Sequence, residues 1–382
     1  MATIGLVFPG NGAMATVRSG VPFSVGRGLE EAGAAVRHLR ADLGSLDRAA
    51  LGALTAIELP RALAYGSVGE TRRRAFNGPL MGAVQSWAGK RRLRRANGLD
   101  GIVQIGSSYC LSGAGRIITH DDMTVVQAAR ARYPGIVALS RRQLARRIER
   151  QRQAYERADA CCTVTRWAAQ SLIDDYGISP EKVHVVGGGR NHEPRAAQRD
   201  WSRPRFLLVA KDWDRKNGPA VVRAFERLKR QIDDATLDVV GYHPPLSAPG
   251  VTGHGPRRLD DPADRTLVDQ LFETATCYVM PSRHEPSGIV FSEANAAGIP
   301  SIGTTEGGSG ELIGNAGRVV HPDDDDGLLD AMRTLADPAT AERLGHRART
   351  RSGLFTWRAV GERLLRALQI PGHDHRLLSD FL

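Results

Sequence analysis

Short apolar segments of strand type alternate with helical ones along the whole chain, and the alternation breaks once and then restarts. Ile4–Phe8 reads as a strand, with Phe23–Arg40 as an amphipathic helix leading out of it. Gly101–Ile105, Gly115–Ile118 and Ala160–Val164 read as further short buried strands. Trp167–Tyr176 reads as a helix, followed by a turn at Gly177–Pro180 and a strand at Val183–Val186. Pro194–Pro204 then shows no apolar period and has a proline at each end, which marks a linker over 196–204. Beyond it come a strand at Phe206–Ala210, a helix at Gly218–Gln231 and strands at Leu237–Gly241 and Cys277–Met280. A helix opens near Ile289, and strands follow at Pro300–Gly303 and Arg318–Val320. Such alternation predicts an α/β chain of two Rossmann-like, doubly wound domains, 1–195 and 205–355. Residues 356–382 are expected as a C-terminal helix or tail packing back on the first domain. The natural ligand site is the cleft the two domains face, at the carboxyl ends of the strands.

Composition fits this and excludes other classes. A chain of 382 residues, 41% apolar and 25% charged, has the length for two cores. No apolar run is long enough to cross a bilayer. Ile4–Phe8 has no basic stretch before it and no clear cleavage site, so it reads as a strand and not a signal peptide. Cys110, Cys161, Cys162 and Cys277 form no C-x-x-C pair, which points to reduced, buried thiols in a cytoplasmic protein.

The net charge of +10 is unevenly placed. Residues 1–195 hold 28 Lys+Arg against 16 Asp+Glu, while the remainder carries a small negative balance. Arg72–Arg74, Arg91–Arg95 and Arg141–Arg152 supply most of the excess. A basic face attracts nucleic acid, an anionic membrane or an acidic acceptor. No aromatic residues interleave with these arginines and no binding motif accompanies them, so nucleic acid is set aside. Peripheral contact with the inner face of a membrane remains, beside a simple solvated surface. The chain's five lysines, few against its arginines, favour the surface.

Chemistry concentrates between Val209 and Leu312. In Pro281-Ser282-Arg283-His284-Glu285-Pro286-Ser287-Gly288-Ile289-Val290-Phe291-Ser292-Glu293-Ala294 a strand ends, a glycine-containing turn follows and a helix begins. The free N–H groups of Gly288, Ile289 and Val290 at that helix start suit an anion. Glu285 precedes the helix and Glu293 lies about one turn inside it, so the two carboxylates reach different parts of one extended ligand. A carboxylate accepts two hydroxyl hydrogen bonds, as a ribose or hexose diol offers.

The segment resembles the E-x7-E motif of retaining glycosyltransferases, most closely glycosyltransferase family 4, and the fold implied is GT-B. The resemblance places the transferred sugar against Glu285 and the nucleotide ribose against Glu293. Val209-Ala210-Lys211-Asp212-Trp213-Asp214-Arg215-Lys216-Asn217-Gly218 puts two of the five lysines in a loop after a strand, where compact cations suit phosphate. It is similar to the family's strand–loop ending in R/K-K-G. That implies Lys216, Arg215 and Lys211 as holders of the diphosphate, although Lys211 stands where Arg is common and the loop is one residue shorter. Thr304–Ile313 resembles the family's GG-x-x-E segment, which implies close backbone approach at Gly307 and Gly308. In the first half, Ser19–Phe23 resembles the loop before the first helix and implicates Gly20, with Gly10–Gly12 part of the same stretch. His120, in Ile118–Thr124 after an apolar strand, matches a family position facing the transferred sugar. Gly187-Gly188-Gly189 departs from the family's Pro-Asn-Gly and is assigned only a turn. Asp323–Asp326 reads as a helix N-terminus and not a metal site.

The resemblance covers 205–345 strongly and 1–195 weakly. It implies transfer of a hexosyl group from a nucleoside-diphosphate sugar, UDP- or GDP-linked, to an acceptor hydroxyl with retention. Glu285, Lys216 and His120 would act at the reacting centre, with no metal and no cofactor beyond the sugar nucleotide. The acceptor is a small molecule, a glycan or a lipid-linked group. A nucleotide-sugar epimerase or hydrolase of the same layout is the alternative.

Overall fold

Every residue of Gly101–Ile105 is buried, which fits a strand whose two faces are both covered by helices. The computed structural model describes residues 1–14, 20–42, 44, 52–53, 75–113, 115–194 and 199–373. They form two compact units, one of Met1–Gly187 with Trp357–Phe381 and one centred on Gly188–Thr356. Arg72–Arg74 and Ser19 lie outside the described residues.

In the first unit β1 (Thr3–Phe8), β2 (Ala35–Arg40), β3 (Gly101–Ile105), β4 (Arg116–Asp121), β5 (Ala160–Thr163) and β6 (Val183–Val185) form a parallel sheet ordered β2-β1-β3-β4-β5-β6. Its helices are α1 (Val21–Glu31), α2 (Pro79–Leu93), α3 (Val125–Arg130), α4 (Pro134–Val137), α5 (Arg141–Arg157) and α6 (Arg166–Asp174). Capping boxes start α3 at Thr124 with Gln127 and α5 at Ser140 with Gln143.

The second unit repeats the plan. Strands β7 (Arg205–Ala210), β8 (Thr236–Gly241), β9 (Val251–Gly255), β10 (Cys277–Val279), β11 (Ser301–Thr304) and β12 (Gly317–Val320) are parallel and ordered β12-β11-β10-β7-β8-β9. They are covered by α7 (Gly218–Lys229), α8 (Pro262–Thr274), α9 (Ile289–Ala297), α10 (Ser309–Ile313), α11 (Asp325–Ala336) and α12 (Pro338–Ser352). In each sheet the order reverses once, between β1 and β3 and between β7 and β10. Such switch points leave a crevice outside the strand ends where ligands bind.

Several sequence expectations change. Phe23–Arg40 is not one helix, because α1 stops at Glu31, Gly33 turns the chain at φ 92° and Ala35–Arg40 pairs with β1. The division falls at Gly187, not after residue 195. The stretch before the expected linker is held by the second unit: Arg190 donates through its side chain to Ser352 O at 2.8 Å, and His192 Nε2 stands 2.7 Å from Asp269 Oδ1. Asp324 caps α11, and Asp323, Asp325 and Asp326 pair with Arg283, Arg223 and Arg227. All four cysteines are buried and free. No helix among the described residues is long and apolar enough to cross a membrane.

The last helix, α13 (Trp357–Ala367), lies against α1 in the first unit. Their backbones touch through glycines: a Cβ on Gly361 would sit 2.1 Å from Gly28 O, and one on Gly28 would sit 2.1 Å from Trp357 O. Gly361→Val must therefore push α13 off α1. We expect it to lower the thermal midpoint by about 4 °C or more, as overpacking of about 1–2 kcal/mol would. An unchanged midpoint would contradict this contact.

Candidate active site

Three strand-to-helix loops of the second unit converge beside the β7/β10 switch point, and Glu285 joins them. From the β7–α7 loop, Lys216 Nζ donates to Glu285 Oε2, and Arg215 Nη1 stands 3.5 Å from the same oxygen. Ser282, three residues before the glutamate, donates to it at 3.1 Å. All three contacts fall on Oε2, so Oε1 carries none of them. The main chain of Glu285 clasps the third loop, since its N–H donates to Glu306 O at 2.9 Å and its carbonyl accepts from Gly308 N at 3.0 Å. Only glycine fits at 307, where φ is 125° and a Cβ would meet Glu285 O at 2.0 Å.

The β7–α7 loop is wound tightly enough to aim Lys216. Successive N–H groups of Lys216, Asn217 and Gly218 return to the carbonyls of Asp212, Asp214 and Trp213. Asn217, left-handed at φ 60°, ties the loop to Pro322 O at 2.7 Å through its side chain. Lys211 behaves differently. It is exposed and has no hydrogen bond or ion pair among the described residues, so nothing fixes its amine.

Burial pushes the Glu285 carboxyl up, but Lys216, Arg215 and Ser282 outweigh it and hold the group below the ordinary carboxylate range. Burial pulls the Lys216 ammonium down, and Glu285 only partly restores it. With three donors on one oxygen, Glu285 is favoured as the carboxylate, and Lys216 donates to it. Removing either partner strands a buried charge or a buried donor. We expect Lys216→Ala to cost about 3–5 kcal/mol in stability, and the double variant with Glu285→Gln to cost clearly less than the sum of the two. Additive losses in denaturant unfolding would show that the two side chains act independently.

Glu293 stands on α9, with Gly288 before the helix and Ile289 and Val290 half-buried in its first turn. No side chain caps this helix, so its first N–H groups are available to a ligand. Glu293 Oε1 accepts the N–H of His192 at 3.2 Å. Burial raises its pKa to about 7, against the smaller lowering effects of the His192 and Asn191 N–H groups and Arg190. The folded chain thus holds a proton that the unfolded chain has released between about pH 4.5 and 7. Stability contributed by this group therefore falls as pH rises through that window. Glu293→Gln should raise the thermal midpoint of the ligand-free protein more at pH 8 than at pH 5. Parallel midpoint-against-pH curves for variant and wild type would contradict the assignment.

In the first unit, a cavity of about 760 Å³ opens at the ends of β1, β3 and β4, lined by residues that include Phe8, Ser107, Asp121, Asp122 and Arg147. Strand β4 runs on to Asp121, so His120 lies within it, buried, rather than in the loop after it. The cavity wall begins at Asp121, and His120 is not part of it. Gly20 precedes α1 at φ 78°. Sequence reasoning missed Ser282, the 190–192 backbone under Glu293 and the inward-facing Arg147. Only Arg147 carried a usable signal: Leu144, Ile148, Gln151 and Tyr155 give α5 an inner face that includes it.

Family models match this chain in tandem: "Glycosyltransferase Family 4" over residues 27–194 and "Glycosyl transferases group 1" over 203–337. The chain belongs to glycosyltransferase family 4, group 1. Its fold is GT-B. The solved structure of sucrose-phosphate synthase from Thermosynechococcus elongatus matches with a TM-score of 0.64 at 18% identity, over 97% of this chain and 98% of that one. WaaG, a glycosyltransferase involved in lipopolysaccharide biosynthesis, matches with a TM-score of 0.62 at 15% identity, over 97% of this chain and all of that one. By sequence, this family 4 chain is 30% identical to glycogen synthase of Mycobacterium tuberculosis over 53% of its length and 52% of the relative's. A mannosyltransferase of Mycolicibacterium smegmatis, named as GDP-mannose-dependent, is 28% identical over 55% of this chain and 62% of that one. The chain thus spans about half the length of the curated relatives it matches.

Proposed function

We propose that this protein is a retaining glycosyltransferase that moves a hexosyl group from a UDP- or GDP-sugar to an acceptor hydroxyl. The observation that carries the reading is the convergence on Glu285: one carboxylate joins two cationic side chains to a glycine-lined loop, eight residues before Glu293 on an uncapped helix. Family membership supports the transferase class, and the GDP-mannose in one relative's name supports a GDP-sugar among the donors to be tried.

In the proposed reaction the bond from the anomeric carbon to the diphosphate breaks and a bond to the acceptor oxygen forms on the same face. The acceptor proton passes to the departing diphosphate oxygen. Negative charge grows on that oxygen, and Lys216, Arg215 and the N–H groups at the start of α9 are the fixed positive groups that stabilise it. Glu285 Oε1, free of the contacts on Oε2, accepts from a sugar hydroxyl. Glu293 accepts from the ribose as a carboxylate, so nucleotide affinity should rise between pH 6 and 8. These cations do the work a metal would do, and activity is expected to survive EDTA.

Three variants divide the labour. Glu293→Gln should weaken binding of the bare nucleoside diphosphate and of the sugar nucleotide together. Glu285→Gln should spare nucleotide affinity and lower turnover. Lys216→Ala should lower turnover by about 10²–10³, as loss of one donor to a developing anion does. Calorimetry with UDP and GDP, paired with initial rates, reads all three. Near-normal rates in all of them would defeat the proposal, and donor consumed equally fast without acceptor would favour a hydrolase or epimerase.

A further inference from the structure

The cavity of the first unit contains a buried guanidinium that no side chain among the described residues bonds directly. Arg147 belongs to α5, and its flank reaches the surface, but its guanidinium Nε and Nη1 are sealed from solvent and have no hydrogen-bond partner. Among the described residues it makes no ion pair. Asp121 is close enough to offset part of its charge electrostatically without bonding it, and Asp121 Oδ1 accepts from Ser107 at 2.9 Å. Burial pulls Arg147 down to about 10, so it is charged at neutral pH. A buried charge without a partner is costly to a folded protein, and an anion brought in from outside relieves that cost.

The rest of the wall is rigid and polar. Gln151 donates to Ser107 at 2.6 Å and accepts the N–H of Val125 at 2.7 Å, and Ser107 also reaches Tyr155 at 3.1 Å. This network fixes the end of β4, where Asp121 and Asp122 present carboxylates suited to hydroxyl groups. The volume suits a ligand of sugar size. An arginine fork recognises phosphate or carboxylate through paired hydrogen bonds.

We propose that this cavity binds the acceptor, and that the acceptor is a polyhydroxylated molecule carrying a phosphate or carboxylate, with Arg147 recognising the anionic group. The proposal rests on the glycosyltransferase reading and names the substrate class of that enzyme's acceptor side.

Calorimetry on the full chain tests it, with inorganic phosphate and a panel of monosaccharides, their 6-phosphates and the matching uronic acids. The expected result is at least one anionic sugar bound tenfold or more tightly than its neutral parent. Arg147→Gln should erase that preference, and Arg147→Lys should restore part of it. Without ligand, Arg147→Gln should unfold at the wild-type temperature or above, because an unpaired buried charge has gone. A midpoint several degrees lower would make Arg147 a structural residue and overturn the proposal. So would wild-type protein that binds neutral and anionic sugars alike, a result independent of how the variants fold. Titration of UDP and GDP into the same sample separates the two readings. Nucleotide binding with no anion preference sinks only the acceptor proposal, whereas an Arg147-dependent anion preference without nucleotide binding counts only against the donor reading.

Discussion

The ion pair between Lys216 and Glu285 holds the second unit's site together. It links positions 69 residues apart and lies where the strand order reverses. Because Glu285 also lends both of its main-chain groups to the Glu306–Gly308 loop, one residue sets the spacing of three loops. An ion pair buried in this way contributes little net stability on its own. Its effect is positional, since neither charge can turn away without leaving the other unsatisfied. Lys216 is thereby held in one position, the one to which the proposed function assigns the diphosphate.

Both units put their functional groups at the same topological place and fill it with opposite chemistry. At the end of β10 one oxygen of the Glu285 carboxylate is engaged by two cations, and burial raises the pKa of the neighbouring carboxyl, Glu293, to about 7. Beside the end of β4 the Arg147 guanidinium has no direct partner among the described residues, while Asp121 accepts from the Ser107 hydroxyl. Pairs of groups whose surroundings push them to different protonation states or different partners are the usual mark of binding and catalytic sites.

The sequence made the fold, and the segments that converge on Glu285, legible for a local reason. A strand, a turn with glycine and a helix start leave their marks within about fifteen consecutive residues, and the Pro281–Ala294 segment carries all of them. What it hid was non-local. Nothing near Glu285 announces that Lys216 will reach it, and the 190–192 stretch has no period of its own because main-chain hydrogen bonds to the second unit hold it. Strand β2 escaped notice because only Ala32, Gly33 and Ala34 separate it from α1, and two of its six residues are arginines. Strand β9, with two glycines and a histidine in Val251–Gly255, has too little apolar content to read as a strand. The Arg141–Arg152 run reads as surface when charges are merely counted. Arg141, Arg142 and Arg146 are exposed, as that reading expects, while Arg147 turns inward on the face that carries Gln151 and Tyr155.

Hydrogen exchange with and without nucleoside diphosphate is the most direct test of the three-loop site. On addition of UDP, GDP, ADP or dTDP, the account predicts slowed exchange in the backbone around residues 213–218, 285–293 and 305–309 together, because Glu285 couples the loops. Protection confined to the first unit, or no change with any of the four nucleotides, would contradict it.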